Sequence, residues 1–357
     1  MNIIPRELLG ELANALHIQD AVALGKTNKQ FLTNLSKTDF GYKIIKPVDI
    51  NIIFLSTEGH NYTKRLYVIG VFKQVIVNHL DQLQLCQQYH ISMTHLIFGD
   101  RFNQSLDNII LPQTLTHLTL GSWFDQSVDN LILPPLLTHL TFGSFFNQSI
   151  NHLRLQHLLS LTDLTFGRYF NQSVDHLKLP SSLERLTFGH SFDKSVENLI
   201  LPPSLRHLTF GNFFDQPIDD LRLQHLTSLT HLTFGNYFNK SVDNIKLPSS
   251  LQKLILGSLC DQSIDNLNLQ HLLSLTHLGF GFFFNQRLDN VQLPASCSLK
   301  YLQFGYHFNQ SIDHLKLEHQ LSLTHLVVGY YFDHSTKYLK SLQLLLPNLI
   351  TTRESRR

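Results

Sequence analysis

Residues 160–180 read SLTDLTFGRYFNQSVDHLKLP. Leu161, Leu164 and Phe166 precede Gly167 as L-x-x-L-x-F, and Val174, Leu177 and Leu179 follow it as V-x-x-L-x-L, closed by Pro180. The last three residues of each set alternate as a short extended segment does, whereas a helix needs a longer run at a period of 3.6. Two short extended segments per unit are therefore predicted. Gly167 between them is free to take a positive φ, and the proline fixes the next turn. One such unit cannot enclose its own leucines, so it needs neighbours.

The chain supplies them. Aligned on the glycine, the unit recurs at Gly99, Gly121, Gly143, Gly167, Gly189, Gly211, Gly235, Gly257, Gly281, Gly305 and Gly329, always 22 or 24 residues apart. Phe stands three places after ten of the eleven glycines, with Cys260 the exception, and directly before eight of them. These two columns hold 18 of the 26 Phe, so repetition accounts for the composition. Most longer units exchange L-P-x-S-L for L-Q-H-L-L-S-L, an insertion at one fixed place that a solenoid takes up in a turn. Coils in equivalent register pair as parallel strands at about 4.8 Å each, giving a rod or arc of about 50 Å. The predicted fold is a repeat solenoid, mainly β, with little room for helix. Asn or Asp follows the repeated Phe column in every unit, from Asn103 to Asp333, where its side chain can satisfy turn amides of its own or the next coil.

Composition narrows the function classes. A hydrophobic share of 43% excludes wholesale disorder, and a net charge of +1 gives no overall pull toward nucleic acid or an anionic membrane. The three cysteines, Cys86, Cys260 and Cys297, are far apart and form no C-x-x-C pair, which points to a reducing compartment. Pro5 and Glu7 interrupt what a signal peptide would need, and no run of 18 apolar residues occurs.

The combination T-F-G-x-x-F-N-Q-S with L-P-x-S-L resembles the FNIP repeat, a relative of leucine-rich repeats known in amoebae and their giant DNA viruses. The resemblance covers about residues 93–335. Ser replaces the motif's Pro in most units, as at Ser105, Ser127 and Ser149, while Pro217 keeps it. It implies a leucine-rich-repeat-like protein-binding solenoid in the cytoplasm, or in the host cytoplasm if the source is viral.

The ends differ. Residues 46–92 carry apolar stretches with weak echoes of the unit and read as degenerate first coils, while residues 336–357 read as a C-terminal cap and tail. In residues 1–45, Leu8, Leu12 and Leu16 share one helical face that Pro5 would start, and Asp20 can cap a second helix. This segment resembles an F-box: Ile4, Pro5, Glu7, Leu8, Leu9, Leu12 and Leu16 fall where that family has its Leu-Pro opening and helix leucines. Gly10 and Gly25 depart from the pattern. The resemblance implies that Ile4, Pro5, Leu8, Leu9, Leu12 and Leu16 engage a Skp-type adaptor of cullin-RING ubiquitin ligases; the alternative is a helical cap on the first coil.

The position four before the glycine is His95, His117, His139, Asp163, Arg185, His207, His231, Lys253, His277, Tyr301 and His325. Lying between apolar positions, it faces outward beside a Thr column. Neighbouring imidazoles could bind metal, but zinc sites want four converging ligands, and a flat ladder broken by Arg185 and Lys253 offers two at a time. A candidate target-binding face is the better reading: His95, His117, His139, Arg185, His207, His231, Lys253, His277, Tyr301 and His325. The Asp107 to Asp313 column repeats one environment, whereas catalysis needs partners tuned apart. No nucleophile-elbow, P-loop or metalloprotease motif occurs, so neither an enzyme nor a cofactor is expected.

Overall fold

The computed structural model describes residues 52–55, 71–88, 92–294, 298–333 and 336–354. The F-box-like positions Ile4, Pro5, Leu8, Leu9, Leu12 and Leu16 lie outside the described residues. The strands are β1 (Ile52–Leu55), β2 (Val71–Val77), β3 (Ser92–Phe98), β4 (His117–Thr119), β5 (His139–Thr141), β6 (Asp163–Thr165), β7 (Arg185–Thr187), β8 (His207–Thr209), β9 (His231–Thr233), β10 (Lys253–Ile255), β11 (His277–Gly279), β12 (Tyr301–Gln303), β13 (His325–Val328) and β14 (Ile350–Arg353). They form one 14-stranded sheet in chain order. Pairing is parallel and keeps the repeat in register, as with His117 opposite His139, Leu118 opposite Leu140 and Thr119 opposite Thr141. This is the solenoid that the period requires.

Each described coil holds one strand where two extended segments were expected. The V-x-x-L part of the second segment turns, with the amide of Leu177 bonding the carbonyl of Val174 at 3.0 Å and that of Leu131 bonding Val128 at 3.1 Å, and the L-x-L residues after it join no strand. An i to i+3 turn brings both apolar side chains inward without a second ladder. The two-residue insertion becomes a single 3-10 turn, at Leu155–His157, Leu223–His225 and Leu269–His271.

The glycine column also has another cause than the one expected. None of the repeat glycines lies in the left-handed region; a Cβ on each of those from Gly121 to Gly305 would stand 1.7–2.2 Å from the carbonyl oxygen of the glycine one coil before. Glycine is needed because successive backbones touch. Positive φ falls instead on Asn108, Arg222, Asn268 and Lys316.

The core is made of columns. The central strand leucines, such as Leu140, Leu164 and Leu186, are buried, and so are both Phe columns. Along the axis Phe146, Phe170 and Phe192 stack at 6.2 and 6.1 Å, while Phe166 meets Phe170 within its coil at 4.3 Å. The Phe side chains thus point into the coil and also bind neighbouring turns. Each contributes about 1.5–3 kcal/mol by burial. Beside them the Oδ1 of each Asn or Asp accepts the amide of its counterpart one coil on, from Asp125 to Asn103 at 2.9 Å through Asp333 to Asn309 at 2.9 Å. Ten such bonds run the length of the repeats.

Helices flank the repeats. Helix α1 (Leu80–Gln88) buries Leu83 and Cys86, and burial pushes the Cys86 thiol up to about 12. Helix α2 (Thr336–Leu345) buries Leu342, and its Tyr338 hydroxyl accepts the amide of Leu317 and donates to Glu318. Among the described residues, no helix is long and apolar enough to cross a membrane.

Candidate protein-binding face

In every H-L-T strand the leucine points inward, so the residues before and after it stand on the open side of the sheet. The whole predicted column of His95, His117, His139, Arg185, His207, His231, Lys253, His277, Tyr301 and His325 is half-buried or exposed and opens or lies in successive strands. Parallel register places its members one above another. The rings of His95 and His117 stack at 3.9 Å, those of His117 and His139 at 4.1 Å, and those of His207 and His231 meet at 4.3 Å. Toward the C-terminal end, Tyr301 lies 5.8 Å from His277 and 6.0 Å from His325.

A threonine sets the tautomer. Thr138 Oγ1 donates to the carbonyl of Thr116 at 2.9 Å and stands 2.8 Å from Nδ1 of His139. A hydroxyl has one hydrogen, so Nδ1 must donate; Nε2 is then the acceptor of a neutral ring or, where it faces Asp163 at His139, the second donor of a charged one. The arrangement repeats at Thr230 with His231, Thr276 with His277 and Thr324 with His325.

Between the two histidine runs lies a charged step. Asp163 accepts from Arg185 Nε at 2.8 Å and lies 3.5 Å from His139 Nε2, while Arg206 meets Glu184 at 3.5 Å. Partial burial works to raise the Asp163 pKa, but hydrogen bonds from Thr162 and Arg185, with the charges of His139 and Arg185, outweigh it and hold the carboxyl below its ordinary range. Burial, followed by nearby positive charge, holds His207, His231 and His277 below the ordinary imidazole range. For His231 and His277 the leading charge is Lys253. Among the described residues, no three His, Cys, Asp or Glu side chains gather as a metal ion would need.

A second exposed column escaped the sequence reading. Two places after the glycine stand Trp123, Phe145, Tyr169, Phe213, Tyr237, Phe283 and Tyr331, all exposed, Trp123 to 56%. They occupy the turn that leaves the C-terminal end of each strand, on the rim of the sheet. Trp123 stacks on Phe145 at 4.6 Å, Phe145 on Tyr169 at 4.9 Å, and Phe213 lies 4.7 Å from Tyr237. The Arg168 guanidinium sits 5.7 Å from the Tyr169 ring centre. The signal was in the sequence, but a tally of Phe hid it because this column mixes Trp, Phe and Tyr.

The FNIP repeat model matches residues 91–122, 159–191, 170–213, 227–259 and 284–317. Those stretches carry FNIP repeats. The FNIP solenoid is similar to CroV588, a circular leucine-rich-repeat protein, with 36% identity over 72% of this chain and 42% of that one and a TM-score of 0.42. It is also similar to a chain of the Drosophila Toll–Spatzle complex, with 16% identity over 80% of this chain and 40% of that one and a TM-score of 0.52. The chain therefore spans about two fifths of the length of either. Among curated proteins no relative matches.

Proposed function

We propose that the FNIP solenoid is a non-catalytic scaffold that holds a target protein against its open sheet face and aromatic rim. The observation that carries this reading is the exposed aromatic column beside the outward histidine column. An apolar stripe next to polar acceptors and cations, repeated at one pitch, is the surface chemistry of a protein-binding face. Residues 1–45 extend the reading: as an F-box-like module they would recruit a Skp-type adaptor and a cullin-RING ligase. The target would then be marked by proximity, through its raised effective concentration at the ligase. The alternative, in which the N-terminal helices only cap the first coil, keeps the scaffold and removes the ligase.

A pull-down of the Skp-type adaptor with the full chain and with a chain lacking residues 1–45 decides between them. The ligase reading expects capture by the first and loss with the second. Equal capture, or none by the full chain, sinks it and leaves the scaffold.

A further inference from the structure

The sheet face is not uniform along the rod. Up to Arg206, the full charges in the column that opens the strands and the column just before it compensate one another, Asp163 with Arg185 and Glu184 with Arg206. From His207 to Val328 the strands and the residues directly preceding them contain Lys253 and Lys300 and no carboxylate. Glu354, beyond β14, lies against Gln303 at 3.5 Å. Lys253 stands between His231 and His277 in the paired register, and Lys300 adjoins Tyr301. Burial, then the charge of Lys253 and, at His277, also of Lys300, lowers the pKa of His231 and His277, so the half-face is cationic and also offers imidazole acceptors. Along its rim run Phe213, Tyr237 and Phe283, exposed to 41, 48 and 44%.

We infer that this half-face binds an extended acidic segment of a partner protein, its carboxylates directed at Lys253 and Lys300 and its apolar side chains at the aromatic rim. The inference rests on the scaffold reading and names the chemistry of the target. Lys253 and Lys300 belong to coils two apart, about 10 Å along the rod at the spacing of paired strands. A polyproline-type chain returns to the same face every third residue, about 9.3 Å on. The match favours carboxylates three residues apart. A nucleic-acid strand fits less well. Its continuous phosphates would find only two full positive charges, Lys253 and Lys300, in the strands of this half-face and the residues directly preceding them.

The test uses the full chain and a fluorescein-labelled peptide of four Glu-Pro-Leu repeats, with fluorescence anisotropy as readout. A Lys-Pro-Leu peptide and a single-stranded oligonucleotide serve as comparison probes. The acidic peptide is expected to bind, to weaken at least tenfold in Lys253→Glu/Lys300→Glu, and to weaken progressively with salt. Phe283→Ser is expected to weaken it further while leaving the salt dependence in place. Unchanged circular dichroism, with Lys253→Gln as a milder variant, shows that the fold is kept. Absence of acidic-peptide binding, equal binding by the charge-reversed variant, or equal binding of either comparison probe overturns the inference. The scaffold reading is judged separately, by whether the full chain still retains a protein target that Trp123→Ser and Phe145→Ser release.

Discussion

Tyr169 and Phe170 are consecutive residues in the same turn, each repeated along the rod as a stack of rings, yet Phe170 is fully buried and Tyr169 is 43% exposed. Phe170 meets Phe166 within its coil and Phe146 and Phe192 in the coils on either side. Tyr169 meets Phe145 and the Arg168 guanidinium. Their stacks differ as well: the outer rings approach at 4.6–4.9 Å, the inner ones keep about the 6 Å set by the spacing and tilt of the coils. The inner ladder holds the solenoid together, and the outer one is surface that folding leaves uncovered. The difference shows that repetition alone marks what recurs, not which recurrence the fold consumes.

The contrast can be broken most directly at Phe170. Phe170→Ala is expected to cost about 3–5 kcal/mol in urea unfolding, because it removes both within-coil and between-coil contacts and leaves a cavity. Tyr169→Ala, one residue away, is expected to stay within about 0.5 kcal/mol. Equal losses at the two sites would show that the outer stack is structural and remove its claim to be a binding surface. Gly167→Ala asks whether backbone contact between coils sets the limit. Its Cβ would stand 1.7 Å from the Gly143 carbonyl oxygen. A loss of about 1–3 kcal/mol is expected from the forced displacement, with faster amide exchange in both coils. An unaffected exchange pattern would mean that the coils separate at no cost.

Acid should produce a smaller effect, confined to the sheet face. His207, His231 and His277 lie below the ordinary imidazole value in the folded chain, so the unfolded chain binds more protons as the pH drops below about 6.5. The stability is complete above that value and declines through the interval beneath it. Asp163, held low, contributes in a separate window at more acid pH. Melting temperatures are expected to fall between about pH 7.5 and 5.5. A level series would contradict the histidine account, while near-ultraviolet signals from the outer aromatic column should change little over the same range.

Much of this was legible in the residues. The 22- and 24-residue spacing required stacking, the Phe before eight and after ten of the eleven glycines pointed to burial, and the Asn103 to Asp333 column pointed to a bonding ladder. The outward position of the histidines followed from their place between leucines. What escaped depended on relations between coils. The glycine column was read through its φ because a sequence shows a residue's own freedom, whereas the carbonyl that excludes a Cβ belongs to the coil before. The second extended segment was read from the alternation of Leu177 and Leu179, but whether such a pair joins a ladder depends on its neighbours, and these residues join no strand after the turn from Val174 to Leu177. The outer aromatic column was hidden by its mixed chemistry.

The residues by themselves thus determined that the chain winds in short coils and that the windings lie on one another, since a single coil leaves its leucines wet. Tertiary structure decided which aromatic ladder is spent inside and which is left outside, and where charges on the sheet cancel. Burial and charge compensation are properties of a side chain's neighbours in space, and for a solenoid those neighbours are 22 or 24 residues away.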